Sequence, residues 1–199
     1  MIDNTDPLLL AVRSYKKLQG KSFCILLENG FKLNLKFKKV NFYHLIGFQY
    51  LTDIAWLNTS RYSKNNIYNN IEKGIITYEM VKESRHFNKE IEDRILNFKH
   101  IDKLLSEDII IDFDKSKVKF RKEIKLDSDF QLYKKINEFY VHLFLSTKDV
   151  EFYPESFFAR KNKDYINDQT KIKIVSISEI KNEKKSKKVK KSKKSPASN

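Results

Sequence analysis

The chain has 199 residues and a formal net charge of +14; hydrophobic residues make up 40% and aromatics 13%. That length and apolar content suit one domain with a sizeable core, and they exclude a largely unstructured chain. One cysteine, Cys24, excludes an internal disulfide and a multi-cysteine metal site, and no run is long enough to span a membrane.

Asp6 before Pro7 reads as a helix start, an N-cap followed by a first-turn proline. That helix runs through LLLAVRSYKKLQ and stops at Gly20. SFCILLE, Asn29-Gly30 and FKLNLKFK then read as a β-hairpin. Alternation puts Phe31, Leu33, Leu35 and Phe37 on one face of the second strand and Lys32, Asn34, Lys36 and Lys38 on the other. One face is core and the other basic. Cys24 falls within an apolar strand and reads as a buried, inert thiol.

Asn41 is expected to cap a helix through FYHLIGFQYLTDIAWL. The stretch 63–106 reads mostly helical: one helix ends at Gly74, a second is capped by Thr77, and a longer one follows through KEIEDRILNFKHIDKLLS. From Asp108 the period changes to strand. IIIDF and VKFRKEI flank a turn, a polar link follows, and EFYVHLFLST is the strongest strand in the chain. EFYPESFFAR and KIKIVSISEIK are two more strands, Pro154 marking an edge or a bulge.

The end of the chain carries much of the charge. Lys181 to Asn199 holds nine lysines and one glutamate, a net +8, which leaves +6 for the first 180 residues. With almost nothing to bury, this stretch is expected to be a disordered basic tail, either merely solvated or a nonspecific grip on a polyanion. Positive fields attract phosphate backbones through counterion release, so nucleic acid ranks ahead of solubility alone as the meaning of the charge. A stable membrane attachment would need an apolar or lipid co-anchor beside the lysines, and none is visible. Asp3 and Asp6 stand where a secretory signal would need basic residues, so a cytoplasmic protein is expected.

Two local patterns narrow the class. One is Phe37-Lys38-Lys39-Val40-Asn41-Phe42-Tyr43-His44-Leu45-Ile46-Gly47-Phe48; the other is Tyr153-Pro154-Glu155-Ser156-Phe157-Phe158, followed by Tyr165 and Gln169. With the order helix, hairpin, helical middle and antiparallel sheet, they resemble the phage-associated Barnase, EndoU, colicin and RelE-like nucleases, in their fourth phage group (a PBECR-type domain). The resemblance covers roughly residues 8–180 and leaves the tail outside. It implies an α+β fold with helices packed on an antiparallel sheet, and a ribonuclease that uses neither metal nor cofactor. It carries over no catalytic set, because the active residues differ between branches.

Metal-free RNA cleavage needs a base for the 2′-OH, an acid for the leaving 5′-oxygen and cations near the phosphorane. Histidine suits proton transfer near neutral pH. His44, in the aromatic segment, is the first candidate for base or acid; a core histidine bonded to a carbonyl is the equally weighted alternative. His142, between Tyr140 and Phe144, is the possible partner, with a second packed face slightly favoured for it. His86 and His100 read as surface residues. Arg61 and Lys64, in a polar loop, and Lys32, Lys36 and Lys38, on the basic strand face, are candidates for phosphate. Ser156, Tyr165 and Gln169 are candidates for phosphate or a base edge, and serve equally well as turn or capping residues. No nucleotide-loop or His-Glu-x-x-His motif is present. The expectation is therefore one domain over 1–180, a tail over 181–199, and RNA as partner, with DNA, a cognate inhibitor or a host protein as alternatives. A noncatalytic nucleic-acid-binding module and a factor that blocks a host protein are the competing functions.

Overall fold

The computed structural model describes residues 5–58, 64–118 and 126–181. The strand expected at VKFRKEI and the tail beyond Lys181 lie outside the described residues.

Helix α1 (Pro7–Lys16) starts where Asp6 and Pro7 require. Asp6 Oδ1 accepts from the Leu8 and Leu9 amides at 2.8 and 3.1 Å. Its Oδ2 accepts from the Tyr78 amide at 2.8 Å, so one carboxylate caps α1 and also holds the start of α4 (Tyr78–Lys82). The hairpin forms as expected from β1 (Ser22–Leu27) and β2 (Lys32–Lys36), with Gly30 at φ +84°. Leu33, Leu35 and Phe37 are buried, whereas Phe31 stays 46% exposed at the strand's mouth. Cys24 is half-buried, not sealed as expected, because β1 turns Phe23, Ile25 and Leu27 inward instead.

The helix expected after Asn41 is much shorter. Helix α2 covers only Asn41–Leu45. Gly47, at φ +91°, takes a left-handed conformation and ends it, and two 3₁₀ segments follow at Phe48–Tyr50 and Ala55–Asn58. Asn41 does not cap the helix; its Oδ1 accepts from the Lys38 amide at 2.8 Å and fixes the turn entering α2. Helices α3 (Lys64–Glu72), α4 and α5 (Lys89–Asn97) occupy the helical middle, and α5 continues as 3₁₀ through Phe98–Ser106. Thr77 caps α4 as expected.

Strands β3 (Ile109–Asp112), β4 (Phe130–Ile136), β5 (Phe139–Lys148), β6 (Glu151–Arg160) and β7 (Thr170–Glu179) complete the sheet. β4 stands where the sequence predicts only a polar link, and it pairs with β5 along its whole length. The spatial order is β1-β2-β6-β5-β4-β3-β7, and β7 returns to β1, closing the sheet. Every neighbouring pair is antiparallel except β2 and β6, which run parallel at Leu35 and Phe152. The fold is α+β, with a mixed sheet in place of a purely antiparallel one.

Pro154 marks a bulge. Phe144 faces Ser156 while Leu145 faces Pro154, leaving Glu155 as the extra residue. The bulge turns the Glu155 carboxylate toward the Ser128 and Ser146 hydroxyls, both of which donate to it.

Two apolar clusters result. The main core joins α1, α2, α3 and α5 to one side of the strands, through Tyr15, Phe42, Phe98, Val141, Leu143 and Phe157 among others. The second lies on the opposite side of β5, where the 161–169 connection brings Tyr165 and Ile166 over Phe144 and Phe113.

Candidate functional site

Two features adjoin the α2 segment, one at each end. At its start is a groove of about 470 Å³, lined by Lys36 and Lys38 from the basic strand, Val40 and Asn41, Lys148 from the β5–β6 turn, and Tyr153. The core sets this wall. The buried Tyr15 donates its hydroxyl to the Lys38 carbonyl at 2.7 Å, and its ring packs on Phe37 and Phe42. Glu151 takes part in the groove as well, 3.0 Å from Lys36 Nζ and 3.9 Å from Lys38 Nζ. Exposed pairs of this kind contribute little, so both lysines can exchange Glu151 for a phosphate at small cost.

His44 is half-buried, its ring edge-on to Tyr43. It lies four residues after Val40 and three after Asn41, a spacing that puts it on the same side of α2 as those two groove residues. His44 thus stands about one helical turn from Val40 and Asn41, at the α2 side of the groove. Lys32 is exposed at the far end of β2, beyond the groove.

His142 is in a different environment. It is fully buried, stacked among Phe144, Phe158 and Tyr165. Its Nδ1 lies 2.7 Å from the Gln131 side-chain amide and pairs with it, while its Nε2 is buried without a hydrogen-bond partner. Burial, followed by the positive charge of Arg160, pushes its pKa down to about 3. The ring is therefore neutral near pH 7. Strand alternation puts Val141 and Leu143 in the core shared with α2 and His142 in the second cluster, so the sheet separates the two histidines. The structure does not bring them together.

Gln169 is buried, and both ends of its amide hold the backbone of Asp114: Oε1 accepts from the amide and Nε2 donates to the carbonyl, each at 2.9 Å. Tyr165 is 8% exposed and covers the second cluster. Ser156 is half-buried opposite Phe144 on the same side of the sheet as His142. Arg61 lies outside the described residues, and Lys64 begins α3. His86 is exposed, as expected. His100 is half-buried, and its pKa is lowered first by burial and then by Lys103 and Lys99.

At the other end of α2 stand two arginines absent from the sequence-derived candidates. Arg94, on α5, is buried and donates to the Leu45 carbonyl over a long 3.4 Å. Arg160, at the end of β6, bonds Glu90 at 2.8 Å. Among the described residues, no group of three or more His, Cys, Asp and Glu is placed to hold a metal ion, and no helix is long and apolar enough to cross a membrane.

The fold is thus a closed mixed sheet with helices packed on it, and cationic side chains gather near each end of one short helix. Residues 8–196 match the phage-Barnase-EndoU-ColicinE5/D-RelE like nuclease4 family, and the chain belongs to that family. Its substrates are accordingly expected among nucleic acids. The match runs past residue 180 into the lysine-rich segment. Comparisons with curated proteins and with solved structures found no significant match.

Proposed function

We propose that the protein is a cytoplasmic endoribonuclease that cleaves RNA by metal-independent general acid–base transesterification. The observation that carries this reading is the position of His44, about one helical turn from Val40 and Asn41 of the groove that Lys36, Lys38 and Lys148 also line, in a chain of a nuclease family. The 2′-oxygen attacks the adjacent phosphorus and the P–O5′ bond breaks. The products are a 2′,3′-cyclic phosphate and a free 5′-OH. His44 removes the 2′-OH proton or protonates the leaving oxygen. The groove lysines hold flanking phosphates, and Tyr153 offers a ring for stacking. Lys32, Arg61 and Lys64 extend the phosphate contacts. The segment 181–199 serves as a nonspecific basic tail beside the domain.

His142 does not share a surface with His44. A two-histidine mechanism requires the 161–169 connection to lift, so we assign His142 a packing role in the closed state. The same burial favours a second reading, a noncatalytic nucleic-acid-binding module on the same fold.

Labelled RNA incubated with the protein in EDTA separates the two. Discrete cuts with cyclic phosphate ends, reduced about 10²–10⁴-fold in His44→Ala while RNA affinity stays within about twofold, support the ribonuclease. Intact RNA that still shifts on a gel supports the binding module.

A further inference from the structure

We propose that Arg94 and Arg160 form a binding pocket for a phosphate group of the nucleic-acid substrate, separate from the lysine groove. The proposal rests on the reading that the partner is a nucleic acid. The pocket is a cavity of about 250 Å³ between α5 and the end of β6.

The charge balance of this pocket is unusual. Four cations line it, Lys89, Arg94, Arg160 and Lys161, against two carboxylates, Glu90 and Asp93. Both carboxylates are already engaged: Glu90 holds Arg160 at 2.8 Å and Asp93 holds Lys89 at 3.0 Å. Arg94 is 7% exposed, and its Nε has no hydrogen-bond partner. Among the described residues no carboxylate lies within ion-pair distance of it. The Tyr50 ring lies over the guanidinium at 5.5 Å, and a Cβ at Gly47 would stand 3.0 Å from Arg94 Cδ. The chain therefore makes room for this side chain, sets the Tyr50 side chain and the Glu90 charge beside it, and leaves its Nε–H without a partner.

A buried guanidinium with an N–H left unpartnered and no carboxylate in direct contact is costly, and an anion entering the pocket would complete the site. Arg160 is steered toward the same pocket by the faces of Phe158 and Tyr165, at 5.5 and 5.6 Å. Two forked guanidinium groups suit the several oxygens of a phosphate better than a single carboxylate, and arginine binds phosphate through paired N–H donors. Along β6, Arg160 is seven residues from Tyr153, about 23 Å at strand spacing. A strand of RNA spanning pocket and groove would pass along α2 between them.

The test follows the Arg94 Nε–H resonance by ¹⁵N NMR at constant ionic strength, titrating first inorganic phosphate and then a short non-cleavable 2′-O-methyl oligonucleotide. Melting temperatures of the full chain, Arg94→Met and Arg160→Gln are compared with and without each probe. The Arg94 signal should move with both probes, and both should raise the melting temperature. Arg94→Met should be at least as stable as wild type in phosphate-free buffer and should lose that response. Arg160→Gln should bind about 10- to 100-fold more weakly. A resonance that neither probe moves refutes the pocket. So does an Arg94→Met that fails to fold beside an Arg160→Gln with wild-type affinity. Movement with inorganic phosphate alone refutes the nucleic-acid assignment. Cleavage is scored separately. Phosphate and oligonucleotide binding without RNA cleavage keeps the pocket and removes the ribonuclease reading; wild-type cleavage by a folded Arg94→Met does the reverse.

Discussion

Replacing His142 with phenylalanine should flatten the acid limb of the stability curve. In the native state His142 is held neutral, with its pKa pushed from 6.5 down to about 3. Unfolding returns it to water, where it binds a proton below about pH 6.5. The unfolded state thus binds more protons between pH 6.5 and 3, and native stability falls as pH drops through that window. At 1.36 kcal/mol per unit, this one group costs about 2 kcal/mol by pH 5, with ~5 kcal/mol as the upper bound below pH 3. For a domain of this size, 2 kcal/mol corresponds to roughly 4–8 °C in Tm. Phenylalanine suits the surrounding Phe144, Phe158 and Tyr165. It leaves the Gln131 amide unpaired, an offset that does not vary with pH. The assay is thermal unfolding of both proteins by circular dichroism from pH 8 to 4.5. The variant should lose less Tm between pH 7 and 5 by about 4–8 °C. Parallel curves would refute the argument and show that His142 is already solvated, which would also reopen its candidacy in catalysis.

Asp6→Ala should lower stability by about 1–2 kcal/mol in urea titrations, since it removes a side-chain N-cap and the acceptor for the Tyr78 amide together; a loss below about 0.3 kcal/mol would mean that Asp6 is dispensable to both helices. Lys36→Ala and Lys38→Ala should each reduce the slope of log K against log salt for RNA by about 1, with little sequence dependence. An unchanged slope in both would remove the groove from the binding surface.

Much of the fold is legible where local chemistry and burial agree. Asp6-Pro7, Asn29-Gly30 and the alternation of Leu33, Leu35 and Phe37 each specify one conformation, and each is found. Pro154 signals its bulge for the same reason. β4 is hidden because the consecutive Lys134 and Lys135 break its apolar alternation and one buried position holds Gln131, whose pairing with His142 is visible only once β5 lies beside it. The long helix expected after Asn41 fails at Gly47, where the apolar period continues but the backbone turns left-handed. The site is less legible than the fold. His44 and Lys36 can be chosen from residue type and pattern. Arg94 cannot, because between Glu90, Asp93 and exposed neighbours it reads as a solvent-facing helix charge. Gly47 and Tyr50, more than forty residues earlier, bring about its burial.

The closing strand also bears on how the chain is made. β7 is the neighbour of both β1 and β3, joining residues 23–27 to 174–179 and 109–112 to 170–173. Until β7 is synthesised, two strands made much earlier each keep an open hydrogen-bonding edge, and β1 must wait for a partner some 150 residues away. Pairings this distant form slowly and leave the edges open to wrong partners meanwhile. A chain cut short within β7 would leave both edges exposed and tend to aggregate. An incomplete copy would then be removed as an insoluble species, and would not persist as a half-formed nuclease.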